Sequence, residues 1–437
     1  MKGRLVNLDV GPGFTAEQAV LASNPVGALT GQSYPTSLVR PDKIGVAPNV
    51  GIAWRPISGS SLLIRSGYQI SHDTSVYQAS AMMMAQQAPL STSLNVSNSA
   101  ACRFTMANPF AVLPCSTTTQ DTFAVDPNLR VGYVQIWSLS VQRDLPGSLQ
   151  MVASYLGNKG TRGVQEFLPN TAPAGGTDPY AAYPSGYLYR TSNGNSTREA
   201  GSIELRRRLR SGLQAGATYV FSKSLDDVYS LGGQGGVGAG GGVAQNWLDL
   251  SGQRGLSASD QRHVLSANAQ YTTGMGLGGK TLMSGWKGLA YKEWTVSTTI
   301  KYASGLPETP IVSGETVLGG GSNSGSIRAN YVGGPVHLNS PGVFLNPAAF
   351  QAPAAGQWGT ARRDSITGPN QFSLNASMQR TFRLSKRLNL STQLDATNVL
   401  NHVMYSGWYT SVGSPQFGAP SGTNGMRTMQ ITMRLRY

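Results

Sequence analysis

The chain has 437 residues, of which 12% are charged and 54 are glycine, where ordinary globular domains carry about 25% charged residues and about 7% glycine. Hydrophobic residues make up 40%, which excludes a polar disordered tail and, with so few charges, argues for a glycine-rich β structure over a soluble α/β enzyme. The formal charge is +14, from 34 Lys and Arg against 20 Asp and Glu, but the arginines are scattered and no nucleic-acid module accompanies them, so no nucleic-acid partner is expected.

The start, Met1-Lys2-Gly3-Arg4-Leu5-Val6-Asn7, has charge but no apolar core of secretory length. An export signal, for an exported chain, is expected upstream of it. No stretch reaches the ~20 apolar residues of a membrane helix, so a membrane location requires a β-barrel. Strands are predicted near 3–9, 47–56, 61–72, 131–143, 149–157, 201–210, 212–222, 261–272, 293–304, 371–383, 387–399 and 427–437, about twelve in all, the first a stub. Val50, Ile52 and Trp54 oppose Asn49, Gly51 and Arg55; Leu213, Ala215, Ala217, Tyr219 and Phe221 oppose Gln214, Gly216, Thr218 and Ser222. Trp294, Val296, Ile300 and Tyr302 oppose Glu293, Thr295, Thr299 and Lys301, and Phe372, Leu374, Ala376 and Met378 oppose Ser373, Asn375, Ser377 and Gln379. The last segment alternates without a miss: Met429, Ile431, Met433, Leu435 and Tyr437 on one face, Thr428, Gln430, Thr432, Arg434 and Arg436 on the other.

Tight turns at 58–60, 146–148, 211–212 and 385–386 alternate with polar, Gly/Pro-rich loops near 73–130, 158–200, 223–260, 305–370 and 400–426. Long loops at one end and short turns at the other are the pattern of an outer-membrane barrel. The expected fold is therefore all-β: an antiparallel meander forming a partial transmembrane β-barrel, with every long loop at one end and Tyr437 at the other. Arg207 and Arg380 break the apolar face, each just before a short turn, where arginine costs least. Tyr219, Tyr271, Trp294, Tyr302, Phe372, Phe382 and Tyr437 lie near strand ends, as interfacial aromatics do. The alternating segment 429–437, ending on an aromatic, is expected to act as an assembly signal.

Motifs for chemistry are weak. Cys102 and Cys115 share one polar loop; without CxxC spacing they suggest a single disulfide in an oxidising compartment, or two unpaired thiols. Gly274-Met275-Gly276-Leu277-Gly278-Gly279-Lys280-Thr281 matches a phosphate-binding pattern, but that chemistry needs a helix directly after it. Here Gly285 and Gly288 interrupt the segment after Thr281, and a glycine-rich turn is favoured. The glycine run at 232–242 reads as a loop tip. His72, His263, His337 and His402 have no ligand-like spacing, no GxSxG elbow occurs, and no cofactor, metal or catalytic group is expected. Arg206, Arg208 and Arg210 with Glu204 share the polar face of one strand, and Arg434 and Arg436 that of the last. They make either a basic lumen that attracts anionic solutes or an acidic plug surface, or charges paired with neighbouring strands.

Several blocks resemble the Oar-like TonB-dependent receptors, outer-membrane proteins of soil bacteria. They are Asn7-Leu8-Asp9-Val10-Gly11-Pro12-Gly13-Phe14-Thr15, Leu38-Val39-Arg40-Pro41-Asp42-Lys43, Pro48-Asn49-Val50-Gly51-Ile52-Ala53-Trp54-Arg55-Pro56 and Ser259-Asp260-Gln261-Arg262-His263-Val264-Leu265-Ser266. Further on come Thr367-Gly368-Pro369-Asn370, Asp395-Ala396-Thr397-Asn398-Val399-Leu400-Asn401-His402, Phe417-Gly418 and Arg434-Leu435-Arg436-Tyr437. The resemblance implies that residues 1–437 are the C-terminal portion of a 22-stranded transporter barrel, lacking the plug. It further implies a bacterial outer membrane as location, and lipid and the barrel-assembly machinery as partners, with TonB acting only through the missing plug. The function implied is uptake of an unidentified substrate; a structural or adhesive barrel whose loops bind a matrix or partner is the alternative.

Overall fold

The computed structural model describes residues 3–437 apart from 44, 75, 92, 97–115, 120–122, 174, 178, 181–186, 228–242, 276–284, 317–325 and 386. Period-two alternation gives each segment one apolar face, and one-residue slips would turn that face over, so register is strongly specified. Eleven strands pair in chain order: β1 (Asn49–Trp54), β2 (Leu63–His72), β3 (Tyr133–Leu145), β4 (Leu149–Phe167), β5 (Leu188–Arg210), β6 (Leu213–Asp226), β7 (His263–Thr272), β8 (Thr295–Ala303), β9 (Gln371–Arg383), β10 (Asn389–Thr397) and β11 (Thr428–Arg436). Each pairs antiparallel with the next. Two short strands, Phe123–Val125 and Gly255–Leu256, add to β5 and β6 off this path. Among the described residues β1 and β11 pair on one side only, so the wall is an open meander. No described helix is long and apolar enough to cross a membrane.

The expected stub near 3–9 is not part of this wall. Val6–Val10 pairs instead with Glu17–Leu21 in a separate two-stranded sheet. The reason is burial on both faces: Val6 and Leu8 are buried, and so are Asn7 and Asp9 between them. The expected loop 158–200 is largely strand as well. β4 is 19 residues long and β5 is 23, twice the ~9–11 residues needed to cross a membrane. Their outer halves pair from Gly157↔Glu199 to Tyr189↔Phe167 through irregularities at 191–195. Gly, Ser, Thr and Asn there resemble a loop in composition because neither face meets lipid.

At the turn end the connections are short. Ser211 and Gly212 both have positive φ, 52° and 76°, the conformation that a two-residue hairpin matched to strand twist requires. The longest turn, 273–294, contains α2 (Gly285–Tyr291); α1 (Val76–Ala85) lies in a long connection. Thr397↔Thr428 at one end of β10–β11 and Asn389↔Arg436 at the other put Tyr437 beside the 384–388 turn and the 398–427 loop at the opposite end. β1 and β11 both run toward the turns. The long loops share one end, as the alternation of lengths predicts.

The apolar rows are continuous. Ile203, Tyr219, Leu265, Tyr302 and Phe372 are register partners across five strands near the loop end, and Phe382, Leu390 and Leu435 are partners near the turns. From Phe372 to Phe382 is ten residues. At ~3.3 Å per residue and a tilt near 40° this is about 25 Å of height, the thickness of an outer-membrane apolar band. Arg380 interrupts this face without exposing its charge: its guanidinium lies 4.6 Å from the Phe382 ring centre and 5.5 Å from that of Trp294, and it donates to the Ala290 carbonyl of α2 at 2.9 Å. A membrane-facing wall predicts that Met378→Arg costs about 2–4 kcal/mol in lipid vesicles, whereas Ser377→Arg on the opposite face is near neutral; denaturant titration of the two variants checks it.

Candidate functional site

The long connections fold into a cap with its own cores. One core gathers Val20, Tyr34, Leu38, Val76, Met84, Val125 and Leu129 from four segments, and a second gathers Val312, Leu345, Phe350, Ile366, Val412 and Phe417. Buried polar side chains tie the segments together. Asn7 accepts from the Val125 amide and donates to its carbonyl, each at 2.8 Å. Asp9 accepts from the Leu29 and Thr30 amides and from the Thr30 and Tyr34 hydroxyls at 2.6–2.9 Å. These bonds hold its carboxyl below the usual range although burial, the largest single effect, pushes the other way. Phe14 stands edge-on against Phe167, Tyr189 and Trp247 at 5.1–5.8 Å.

Charged groups complete the cap. Arg190 and Glu166 form a buried pair between β4 and β5, with Arg190 Nε 2.8 Å from the carboxylate. Arg363 bridges Asp226 and Asp364, and its Nε donates to the Gln253 carbonyl at 3.2 Å. Burial raises Asp364 despite Arg363. Burial first, then Arg363, brings the neighbouring Arg328 down to about 10. Burial also raises Glu308 against the Trp408 amide that it accepts from. Glu17 is brought to about 7 by burial alone, and its buried Oε2 has no hydrogen-bond partner.

The blocks that carry the family resemblance fall largely in this cap. Besides Asn7, Asp9 and Phe14, Asp260 accepts from the Ser224 amide at 2.6 Å, and Asn398 bonds to both His402 and Gly425. Phe417 is core, and Gly418, at φ 80°, sits where a side chain would strike Leu345 at 2.9 Å. Glu166, Arg190, Gln245 and Arg363 carry no sequence signal beyond being polar residues in long connections; each has a partner 24–137 positions away.

The basic face is divided by the structure. Arg206 lies opposite Gln150 and Gly216 on the polar face, and Arg208 pairs with Asp144 at 3.6 Å. Arg210 does not share that face. A register shift between Arg207 and Arg210 sets Arg210 opposite Leu213, because a β-bulge's extra residue reverses the side of everything after it. Arg434 and Arg436 lie six strands away from Arg206, a distance of about 29 Å along the sheet at ~4.8 Å per step, so the two groups are separate patches. Met429, Ile431, Met433 and Leu435 on the other face of β11 are each 57–70% exposed. Cys102, Cys115, most of the phosphate-like pattern and the glycine run at 232–242 lie outside the described residues. His263 shares a 2.7 Å hydrogen bond with the Tyr219 hydroxyl, and no described group of three His, Cys, Asp or Glu is placed to hold a metal.

An antiparallel meander with an apolar band of membrane height, a polar opposite face and all long loops at one end is the wall of an outer-membrane barrel. The chain belongs to the family described as outer membrane beta barrel domain, which it matches over residues 1–430, and its location is the bacterial outer membrane. Similar solved structures include the outer membrane transporter YddB from Escherichia coli, at 9% identity and TM-score 0.48, covering 88% of this chain and 40% of that one. The siderophore receptor PiuA from Acinetobacter baumannii has 9% identity and TM-score 0.43, with 89% and 35% covered. The ferripyoverdine receptor of Pseudomonas aeruginosa has 11% identity and TM-score 0.41, with 89% and 32% covered. The chain thus spans two fifths or less of the length of these structures. No curated protein matches it.

Two outcomes are expected for the cap. Arg190→Ala leaves the buried Glu166 carboxylate without its partner, a loss of about 3–5 kcal/mol; hydrogen exchange should rise at 123–131 and 163–167 while the wall strands keep their protection. Glu17 has a folded pKa raised from 4.5 to about 7, so the folded cap binds the extra proton and loses stability as pH rises through that window. Limited proteolysis of the cap should therefore quicken between those values in the native chain and stay flat in Glu17→Gln.

Proposed function

We propose that this chain is the later part of the barrel of a TonB-dependent outer-membrane transporter, close to the Oar-like type, and that its cap is the surface that first meets the solute. The observation that carries this is the folding of the long connections. Five buried clusters and two buried ion pairs hold them in one arrangement, as a specific capture surface requires and a passive pore does not. The opposite face of the wall is polar along its length, suited to a hydrated interior. Energy coupling would come through a plug that is not among these residues, and insertion through the barrel-assembly machinery.

The test compares solute depletion from complex medium by the parent strain, a strain lacking this gene and a strain lacking TonB. One or more solutes should remain undepleted in both mutants. Unchanged depletion in the gene-deletion strain, with loss of attachment to surfaces or matrix, would replace transport by the adhesive reading.

A further inference from the structure

On the polar face at the turn end, β7–β11 carry a recess of about 560 Å³. Its floor is built by register. Thr272, Thr295, Gln379, Gln393 and Thr432 are partners across five strands, followed toward the turns by Thr381, Ser391 and Arg434, with Arg436 beyond them on the last strand. Neighbouring hydroxyls already align, Thr272 with Thr295 and Thr381 with Ser391, each pair at 3.0 Å.

We propose that this recess is an anion-binding subsite in the barrel interior, for a small hydrophilic solute bearing two or more carboxylate or phosphate groups. Arg434 and Arg436 both line it, and no described carboxylate lies within ion-pair distance of either. They are two residues apart on one strand, so their Cα atoms repeat at about 6.6 Å on one face, and guanidinium groups carried at that interval suit two anionic groups of one compact molecule. Apart from Arg380 and Glu293, the other residues lining it carry hydroxyls and amides, which complete the bonds to oxyanions; an apolar or lipid-like ligand would find nothing to pack on. Among the described residues Glu293 is the one carboxylate lining it, and it opposes binding of an anion. The patch at Arg206 and Arg208 lacks this quality, since Arg208 is already held by Asp144.

As a step on a transport route the subsite rests on the transporter reading, but its existence does not. It is tested by binding alone, on the full chain folded into zwitterionic micelles, with pyrophosphate and citrate as probes and poly-glutamate as a macromolecular comparison. Saturable binding of at least one small probe is expected, weakening with added salt. Arg434→Gln with Arg436→Gln should weaken it at least about tenfold, the loss of one charge-assisted bond or more. Glu293→Gln should strengthen it, and Arg206→Gln should leave it unchanged. The β-sheet circular dichroism of each variant confirms folding; β11 is an exposed edge, so these changes disturb no core. Absence of saturable binding, equal binding by the double variant, or tight binding of poly-glutamate with none of the small probes would each overturn the assignment.

Discussion

Everything in this molecule depends on the inter-strand hydrogen-bond ladder of an apolar-faced sheet. In a bilayer core no water is present to satisfy a backbone amide, so each strand must find partners on both sides. The meander meets that requirement for the nine inner strands with unbroken registers such as β7–β8 and β10–β11. Once those registers are set, the faces are set with them: Tyr302 must stand beside Phe372 on the lipid face, and Thr295 beside Gln379 on the inner one. The floor of the polar recess is thus a consequence of how the wall is paired, with Glu293 of the 273–294 turn joining its lining.

The cap obeys different rules. Its segments are short, and its cohesion comes from buried side-chain acceptors that satisfy distant backbone amides. Asn7 and Gln87 illustrate this: one carboxamide bonds to both polar atoms of the Val125 backbone, while the other accepts from Phe123 and donates to Val6. Such groups are costly when unmet and specific when met. They give the cap a defined arrangement where apolar contacts alone would leave many.

This difference explains what the sequence discloses. Alternation from Val296 to Tyr302 or Met429 to Leu435 is readable because lipid enforces one apolar residue in two. The strand Val6–Val10 alternates equally well, yet it belongs to the cap, because period-two patterning records two unlike faces and does not say that the second one meets water. Asn7 and Asp9 are polar and fully buried. The bulge before Arg210 escapes the pattern for another reason: one inserted residue changes its side, and nothing in Arg207-Arg208-Leu209-Arg210 marks where the insertion falls. The arginines of the recess are visible as alternating charges, but their hydroxyl and amide partners come from strands as far back in the chain as Thr272, joined only by register.

The shared direction of the two edge strands has a further geometric consequence. Since β1 and β11 both run toward the turns, joining them directly would make a parallel seam in an otherwise antiparallel sheet. The same holds for a ring built from several copies of this wall in one membrane orientation. Parity therefore governs closure: any fully antiparallel cylinder that includes these eleven strands places an odd number of other strands between β11 and β1. The strand beside β1 must also rise toward the loop end, so that chain entering β1 arrives from the side where the cap lies.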